Sequence, residues 1–316
     1  MKILFTSIGR RVELVQAFRT AARQRNEELT IYGADISESA PALYFCDRMV
    51  IVPRIKHIDY IPALLAVCEK EGIDALIPTI DTDLLLLSQN RESFAGIGTR
   101  VIISDPDKIA LCRDKRLTAD YFHSVGLQSP APTDDVSRYA DGFPAFIKPK
   151  DGSSSIFAYK VNNQQELEAY AAQVPDYIIQ PFIEGTEYTV DIFCDFAGAP
   201  VYITPRIRLA VRAGEVLKTQ ITQDSQILSE MQQLIADYKP CGPITVQLIR
   251  QKNTGQDFYI EINPRFGGGA PLSIMAGADA PGALLQLLRG EKLTYQACAA
   301  EDGAIYSRFD QSVRVQ

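Results

Sequence analysis

In the segment Tyr259-Ile260-Glu261-Ile262-Asn263-Pro264-Arg265 a carboxylate and a carboxamide stand two residues apart. On a β-strand that spacing sends both side chains to one face and turns Ile260 and Ile262 toward a core. A carboxylate beside an amide oxygen suits a hard divalent cation such as Mg²⁺. Pro264 biases Asn263 toward extended backbone, and the adjacent Arg265 has the charge and shape to meet a phosphate. The competing reading is a strand with a polar, solvated face. Gln247, in Ile244-Thr245-Val246-Gln247-Leu248, projects away from its apolar neighbours. If its strand pairs with the first it supplies a third oxygen; alone it is equally an exposed strand glutamine.

Further chemistry sits upstream. Lys148, in Phe146-Ile147-Lys148-Pro149-Lys150, precedes the Gly/Ser turn Asp151-Gly152-Ser153-Ser154-Ser155. Loop N–H groups and hydroxyls next to an ammonium can cradle phosphate, although no G-x-x-x-x-G-K-[ST] motif is present. Arg206, Arg208 and Arg212 alternate with Ile207, Leu209 and Val211. A strand with that pattern presents a basic face to a substrate carboxylate or phosphate, or simply to water. Lys218 is a further basic candidate. Gly267-Gly268-Gly269 either lets backbone approach a ligand closely or makes a tight turn into the next helix.

These residues need elements to hold them. The chain has 316 residues, 46% hydrophobic and 22% charged, as expected of a soluble globular protein of two or three domains. A net charge of −7 argues against a general nucleic-acid binder. Neither a membrane span nor a signal peptide is expected. The six cysteines are scattered without a C-x-x-C pair, and only His57 and His123 are present. That fits reduced, mostly buried thiols in a cytoplasmic protein, not a zinc site or a disulfide framework.

Strand and helix patterns alternate through the first hundred residues: strands at 2–6, 29–34, 49–52, 73–79 and 101–104, with helices between them. This implies a parallel sheet covered on both faces. Asp105-Pro106 reads as a helix start, Asp as N-cap, and one helix is expected to run to about His123. Next comes a small α+β unit of two or three strands and two helices, with strands at 145–150, 157–161 and 177–183 and a helix capped by Asn163. A strand-rich part follows, with separate strands at 201–204 and 207–211, others at 188–194, 244–248 and 258–262, and helices at about 225–238 and 281–288.

Taken together, the motifs resemble the ATP-grasp superfamily, in particular single-unit relatives of the carbamoyl-phosphate synthase large chain and similar carboxylate–amine ligases. The resemblance runs from the N-terminus to about Gly290. It implies an α/β and α+β protein: an N-terminal Rossmann-like pre-ATP-grasp domain over 1–105, a small lobe or lid with its leading helix over 106–184, and a large lobe with the metal site and C-terminal tail over 185–316. It implies ATP and Mg²⁺, or Mn²⁺, held by Gln247, Glu261 and Asn263. Arg265, Lys148 and Arg208 would act on the transferring phosphate. Lys115, of the pair Asp114-Lys115, would contact phosphate from the other side, with Ser153, Ser154 and Ser155 closing over it. The family's adenine hinge maps to Gln180-Pro181-Phe182-Ile183, with backbone at Phe182 and Ile183 reading the base and Glu187 taking the ribose. Relatives often carry Glu where Gln180 stands, and Asp or Glu where Gln247 stands, which lowers the charge at both points.

The activity implied is ligation: a carboxylate is phosphorylated by ATP and an amine then displaces phosphate, with small-molecule partners and a homodimer left open. One grasp unit, not two, argues against a carbamoyl-phosphate synthase. Two rivals stand beside this reading. An NAD-dependent oxidoreductase would use Asp35, but Ser7-Ile8-Gly9-Arg10-Arg11 lacks G-x-G-x-x-G. A nucleotide-binding module without catalysis would be marked by loss of Glu261 or Asn263, and both are present.

Overall fold

The computed structural model describes residues 1–152 and 156–315. Its first unit contains β1 (Lys2–Thr6), α1 (Val12–Gln24), β2 (Thr30–Asp35), β3 (Arg48–Ile51), α2 (Tyr60–Glu71), β4 (Ala75–Pro78), α3 (Asp81–Gln89), α4 (Arg91–Gly96) and β5 (Arg100–Val101). The strands form one parallel sheet in the order β3-β2-β1-β4-β5. The central strands β2, β1 and β4 are buried on both faces and read as near-continuous apolar runs, while the edge strand β3 is largely exposed. Ile3 and Phe5 enter one core and Leu4 the other.

The first of those cores is shared with the C-terminal half of the chain, which contributes Phe193, Val201, Phe266 and Leu284. Phe18 on α1 meets Phe5 and Phe266 edge-on, with ring centroids 5.1 and 6.0 Å away. This packing presses the loop after the Glu261 strand against the N-terminal unit.

One expected helix is two: α5 (Pro106–Arg113) and α6 (Lys115–Ser124). The break lies at Asp114, whose backbone is extended and whose carboxylate accepts the Arg116 N–H at 2.9 Å. An aspartate that caps a new helix competes with continuing the old one. Asp105, expected as a cap, makes no cap bond. Its carboxylate instead pairs with Arg91 and, at 3.2 Å, with Lys108.

A small antiparallel sheet follows, built of β6 (Ala145–Pro149), β7 (Tyr159–Val161) and β8 (Tyr177–Pro181) in the order β7-β6-β8, with α7 (Gln164–Ala171) against it. Asn163 caps α7, accepting the Glu166 N–H at 2.9 Å. The second helix expected here is only a 3-10 turn at Val136–Arg138.

The large sheet contains β9 (Gly185–Cys194), β10 (Pro200–Arg212), β11 (Glu215–Ile221), β12 (Pro243–Gln251), β13 (Asp257–Asn263) and β14 (Ile305–Ser307). Its order is β13-β12-β9-β10-β11-β14, antiparallel throughout, with α8 (Ser225–Tyr238), α9 (Ala270–Met275) and α10 (Ala280–Leu288) between strands. The two strands expected at 201–204 and 207–211 are one, running through Pro205. Pro205 is tolerated because its carbonyl faces Thr222 at the end of β11. The N–H it lacks would point the same way, beyond the paired register. β11 and β14 were not anticipated.

All six cysteines are free, as expected; only Cys68 and Cys194 are buried, Cys298 being exposed and the other three half-buried. Among the described residues no helix is long and apolar enough to cross a membrane.

Candidate active site

The large sheet alternates sharply. Val190 and Ile192 of β9, Val246 and Leu248 of β12, and Ile262 of β13 share one apolar core, with α8 residues packed over them. The opposite face therefore carries Thr189 and Asp191, Thr245 and Gln247, and Glu261 and Asn263. These residues, apart from Asp191, line a cavity of about 860 Å³ bounded by all three sheets.

Register brings the proposed metal residues together. Gln247 lies directly opposite Glu261, and Thr245 opposite Asn263. Asn263 donates through Nδ2 to Glu261 Oε1 at 2.9 Å and accepts at Oδ1 from Arg265 Nη2 at 3.2 Å. Those two bonds fix which way the amide points. Asp81, at the start of α3, holds Arg265 at 2.6 Å, so the parallel-sheet unit sets the position of the arginine beside the metal candidates. Among the described residues no group of three His, Cys, Asp or Glu is arranged for a metal. One carboxylate and two amide oxygens instead fit a hard cation that keeps most of its ligands from phosphate and water.

The expectation that Ile260 points into the core is overturned. A register shift lies between Gln247 and Leu248, where Leu248 faces Tyr259 instead of Ile260. The extra residue is a β-bulge, which resets the alternation. Tyr259 is buried in the core and Ile260 lines the cavity.

Two lysines converge from the small lobe. Lys148 on β6 is buried, and its pKa is pushed down to about 8 by desolvation, opposed by Glu261 and reinforced by Lys115. Lys115 begins α6, and its backbone N–H is tied to the Lys150 carbonyl at 2.9 Å while its Nζ donates to the Gly152 carbonyl at 2.9 Å. Burial also lowers its pKa, with Glu261 and Asp151 opposing. The break at Asp114 is thus what puts Lys115 against the turn that follows Lys148. Ser153, Ser154 and Ser155 lie outside the described residues.

At the hinge, Gln180 is buried and donates through Nε2 to the Pro130 carbonyl at 2.6 Å, leaving its oxygen free to accept. Phe182 and Ile183 line the cavity. The Phe182 N–H is taken by the Pro144 carbonyl at 3.1 Å and is not available to a ligand. Glu187 lies 3.2 Å from Arg208 Nε, an ion-pair distance, although the N–H is not aligned as a hydrogen bond.

The arginine strand behaves differently along its length. Arg206 and Arg208 are buried and line the cavity. Bulges at Arg208/Ala210 and Ala210/Val211 then end the alternation. Leu209 and Val211, expected on the face opposite the arginines, are exposed, and Arg212 leaves the site to pair with Asp310 at 3.2 Å. Lys218 is exposed and outside the cavity.

The three glycines are close-approach positions. A Cβ at Gly267 would lie 2.8 Å from Thr245 Oγ1, at Gly268 3.3 Å from Arg11 Nη1, and at Gly269 2.6 Å from Arg206 Nη2. Arg11, Asp81 and Arg308 also line this region, with Asp191 behind Arg206, and no sequence pattern singles these four out. Arg11 is desolvated, which brings its pKa down to about 10, with Arg265 adding to the effect. Its position after a β1 turn was legible, but its partners come from distant strands.

A three-layer α/β unit joined to two antiparallel sheets that clasp a polar cleft is the fold of ATP-grasp proteins. Residues 173–311 of the chain match the model for ATP-grasp in the biosynthetic pathway with Ter operon, and residues 3–102 match that for the PylC-like N-terminal domain. It is 24% identical over 189 residues to a D-alanine–D-alanine ligase of Marinomonas sp. (strain MWYL1), covering 56% of this chain and 52% of the relative. It is 25% identical over 183 residues to a 3-methyl-D-ornithine–L-lysine ligase of Methanosarcina barkeri, covering 57% and 46%. The chain therefore spans about half the length of these relatives. Biotin carboxylase from Campylobacter jejuni, solved as a β,γ-ATP complex, superposes with a TM-score of 0.76 at 16% identity, covering 96% of this chain and 74% of that one.

Proposed function

We propose that the chain is a Mg-ATP-dependent, ADP-forming ligase that activates a carboxylate as its acylphosphate for attack by an amine. The observation that carries this is the register of Gln247 against Glu261, with Asn263 beside them and Lys115, Lys148 and Arg265 lining the same cavity. The three sheets support a division into an N-terminal unit, a lid and a large lobe near the boundaries set out above. The adenine would lie on the Gln180–Ile183 hinge against Ile260, with Glu187 at the ribose.

In this reading no side chain becomes covalently attached. Lys115 and Lys148 neutralise phosphate, and Arg265, braced by Asp81, meets the transferring group. Gln247, Glu261 and Asn263 would hold Mg²⁺, which supplies Lewis-acid neutralisation of the phosphate oxygens. Burial of Lys148 and Arg208 keeps the site dry enough to strengthen these contacts.

The test is incubation with Mg-ATP and pooled amino acids, followed by assay of nucleotide products and mass analysis. ADP, phosphate and a condensed product are expected. AMP with pyrophosphate would refute the acylphosphate route. Turnover retained by Glu261→Ala would refute the assigned site.

A further inference from the structure

At the edge of the cavity the chain makes a turn that one of its residues resists. Ser7 has a φ of 50° and Gly9 a φ of 45°, two left-handed positions in quick succession. Glycine takes that conformation freely, but a serine keeps it only where its surroundings impose it. The turn follows β1, lines the cavity from Ser7 to Arg11 and ends at Arg11, where α1 begins.

The side chain that grips Ser7 does not itself line the cavity. Asp83, in the first turn of α3, is fully buried, and its Oδ2 accepts from Ser7 Oγ at 3.0 Å, Thr6 Oγ1 at 3.0 Å and Tyr60 Oη at 3.1 Å. Thr79 completes the clasp. Its Oγ1 donates to the carbonyls of Thr6 and Ser7 at 3.0 and 2.8 Å, and its own carbonyl accepts from Arg11 Nη2 at 2.8 Å. Ordered contacts thus run from Asp83 through Ser7 and Thr79 to the Arg11 guanidinium.

Stability does not account for Asp83. Its Oδ1 is buried without a hydrogen bond among the described residues, and its Oδ2 is met by hydroxyls, not by a cation. A buried carboxylate left in that state is a cost to folding. The same helical turn carries Asp81, which holds Arg265 at 2.6 Å. Positions two apart on a helix do not share a face. One turn of α3 therefore addresses Arg265 with one carboxylate and the Ser7 turn with the other.

We propose that Asp83 is a positioning residue, which fixes Ser7 in its left-handed form and so sets the turn that carries Arg11 into the cavity. Its kinetic consequence rests on the ligase reading. The lysines, hinge and metal candidates assigned to Mg-ATP lie on other elements, so Asp83 governs the second substrate and leaves ATP binding unchanged.

Hydrogen exchange tests the link without any substrate. The Gly9 and Arg11 N–H groups, bonded to Asp35 at 2.8 Å and to the Ile8 carbonyl at 2.9 Å, report on the turn. Asp83→Asn keeps the shape and removes the charge. Ser7→Ala removes the grip and leaves an L-residue at the strained angle, whereas Ser7→Gly removes the grip and tolerates the angle. Exchange in the peptide 6–12 should rise roughly tenfold in Asp83→Asn and Ser7→Ala, as a hydrogen bond to a charged group is weakened or lost. It should rise less in Ser7→Gly, and no further when Asp83→Asn is added to Ser7→Ala. Peptide 257–263 should not change. At pH 7 Asp83→Asn should melt no lower than the native chain, because the buried charge is gone. A looser turn in an equally stable chain is a result that a structural role would not give. With Mg-ATP and the pooled amino acids, the half-saturating pool concentration should rise roughly tenfold in Asp83→Asn and Ser7→Ala while that of ATP stays fixed. Failure of Asp83→Asn to fold, equal rises in both peptides, additive effects in the double variant, or a parallel rise for ATP would each overturn the proposal. Exchange changes confined to 6–12 in proteins that never form ADP would keep the positioning role and remove the ligase reading.

Discussion

Lys148 offers a quantitative test of the nucleotide site through pH. Its side chain is buried, and the cost of desolvating an ammonium brings its pKa down to about 8, Glu261 partly opposing and Lys115 assisting. ATP phosphates are anions that favour the charged form, so binding raises this pKa again. With the free value near 8, the charged fraction falls from about nine-tenths at pH 7 to about one-tenth at pH 9. Mg-ATP affinity should therefore drop roughly tenfold over that interval, about 1.4 kcal/mol. Stability moves the other way. Between about 8 and the ordinary lysine value the unfolded chain holds more protons than the folded one, so this group's contribution makes the folded protein more stable as pH rises. Isothermal titration in buffers of different ionisation heat would show proton uptake on binding, near zero at pH 7 and close to one proton at pH 9. Lys148→Gln should bind more weakly and lose this uptake. A flat affinity from pH 7 to 9 in the native protein, or the same slope in Lys148→Gln, would refute the reasoning.

Three other perturbations probe different parts of the structure. Glu261→Gln keeps the strand but removes the only carboxylate among the metal candidates; ADP formation should fall roughly a hundredfold or more and the Mg²⁺ midpoint should rise, read by a coupled ADP assay across metal concentrations. Asp83 is fully buried, takes hydroxyl bonds from Thr6, Ser7 and Tyr60 on one oxygen, and has its pKa raised by desolvation to about 6. The folded state thus holds the extra proton below about pH 6, and stability falls as pH rises through that range; relative to Asp83→Asn the native chain should lose up to about 3 kcal/mol between pH 4 and 7, measured by urea unfolding. Gly269→Ala places a methyl 2.6 Å from Arg206 Nη2 and 2.7 Å from Val216, at a residue whose φ of −95° carries no strain of its own. Overpacking of about 1–3 kcal/mol is expected, read as a lower melting temperature, and an unchanged melting temperature would refute it.

What could be read from the sequence follows from how locally each feature is determined. The shared face of Glu261 and Asn263 and the Asn163 cap depend on nearest neighbours, and the structure agrees with them. Ile260 fails because a bulge belongs to a pair of strands: only the partner's register, Leu248 against Tyr259, shows that the alternation resets. Asp114 was legible as part of a motif but not as a cap, since the apolar pattern runs through it on both sides. The arginine strand shows the limit most clearly. Three arginines at even positions look equivalent in sequence, yet Asp191 pairs with the first, Glu187 meets the second and Asp310 draws away the third. Their partners lie 15, 21 and 98 residues away, since 206−191, 208−187 and 310−212 give those separations. Arg11 is the extreme case, set against the triglycine loop by the packing of Phe18 on Phe266. A single rung from Glu261 through Gln247 and Thr189 to Arg206 joins a half that the motif announced to a half that only pairing could assemble.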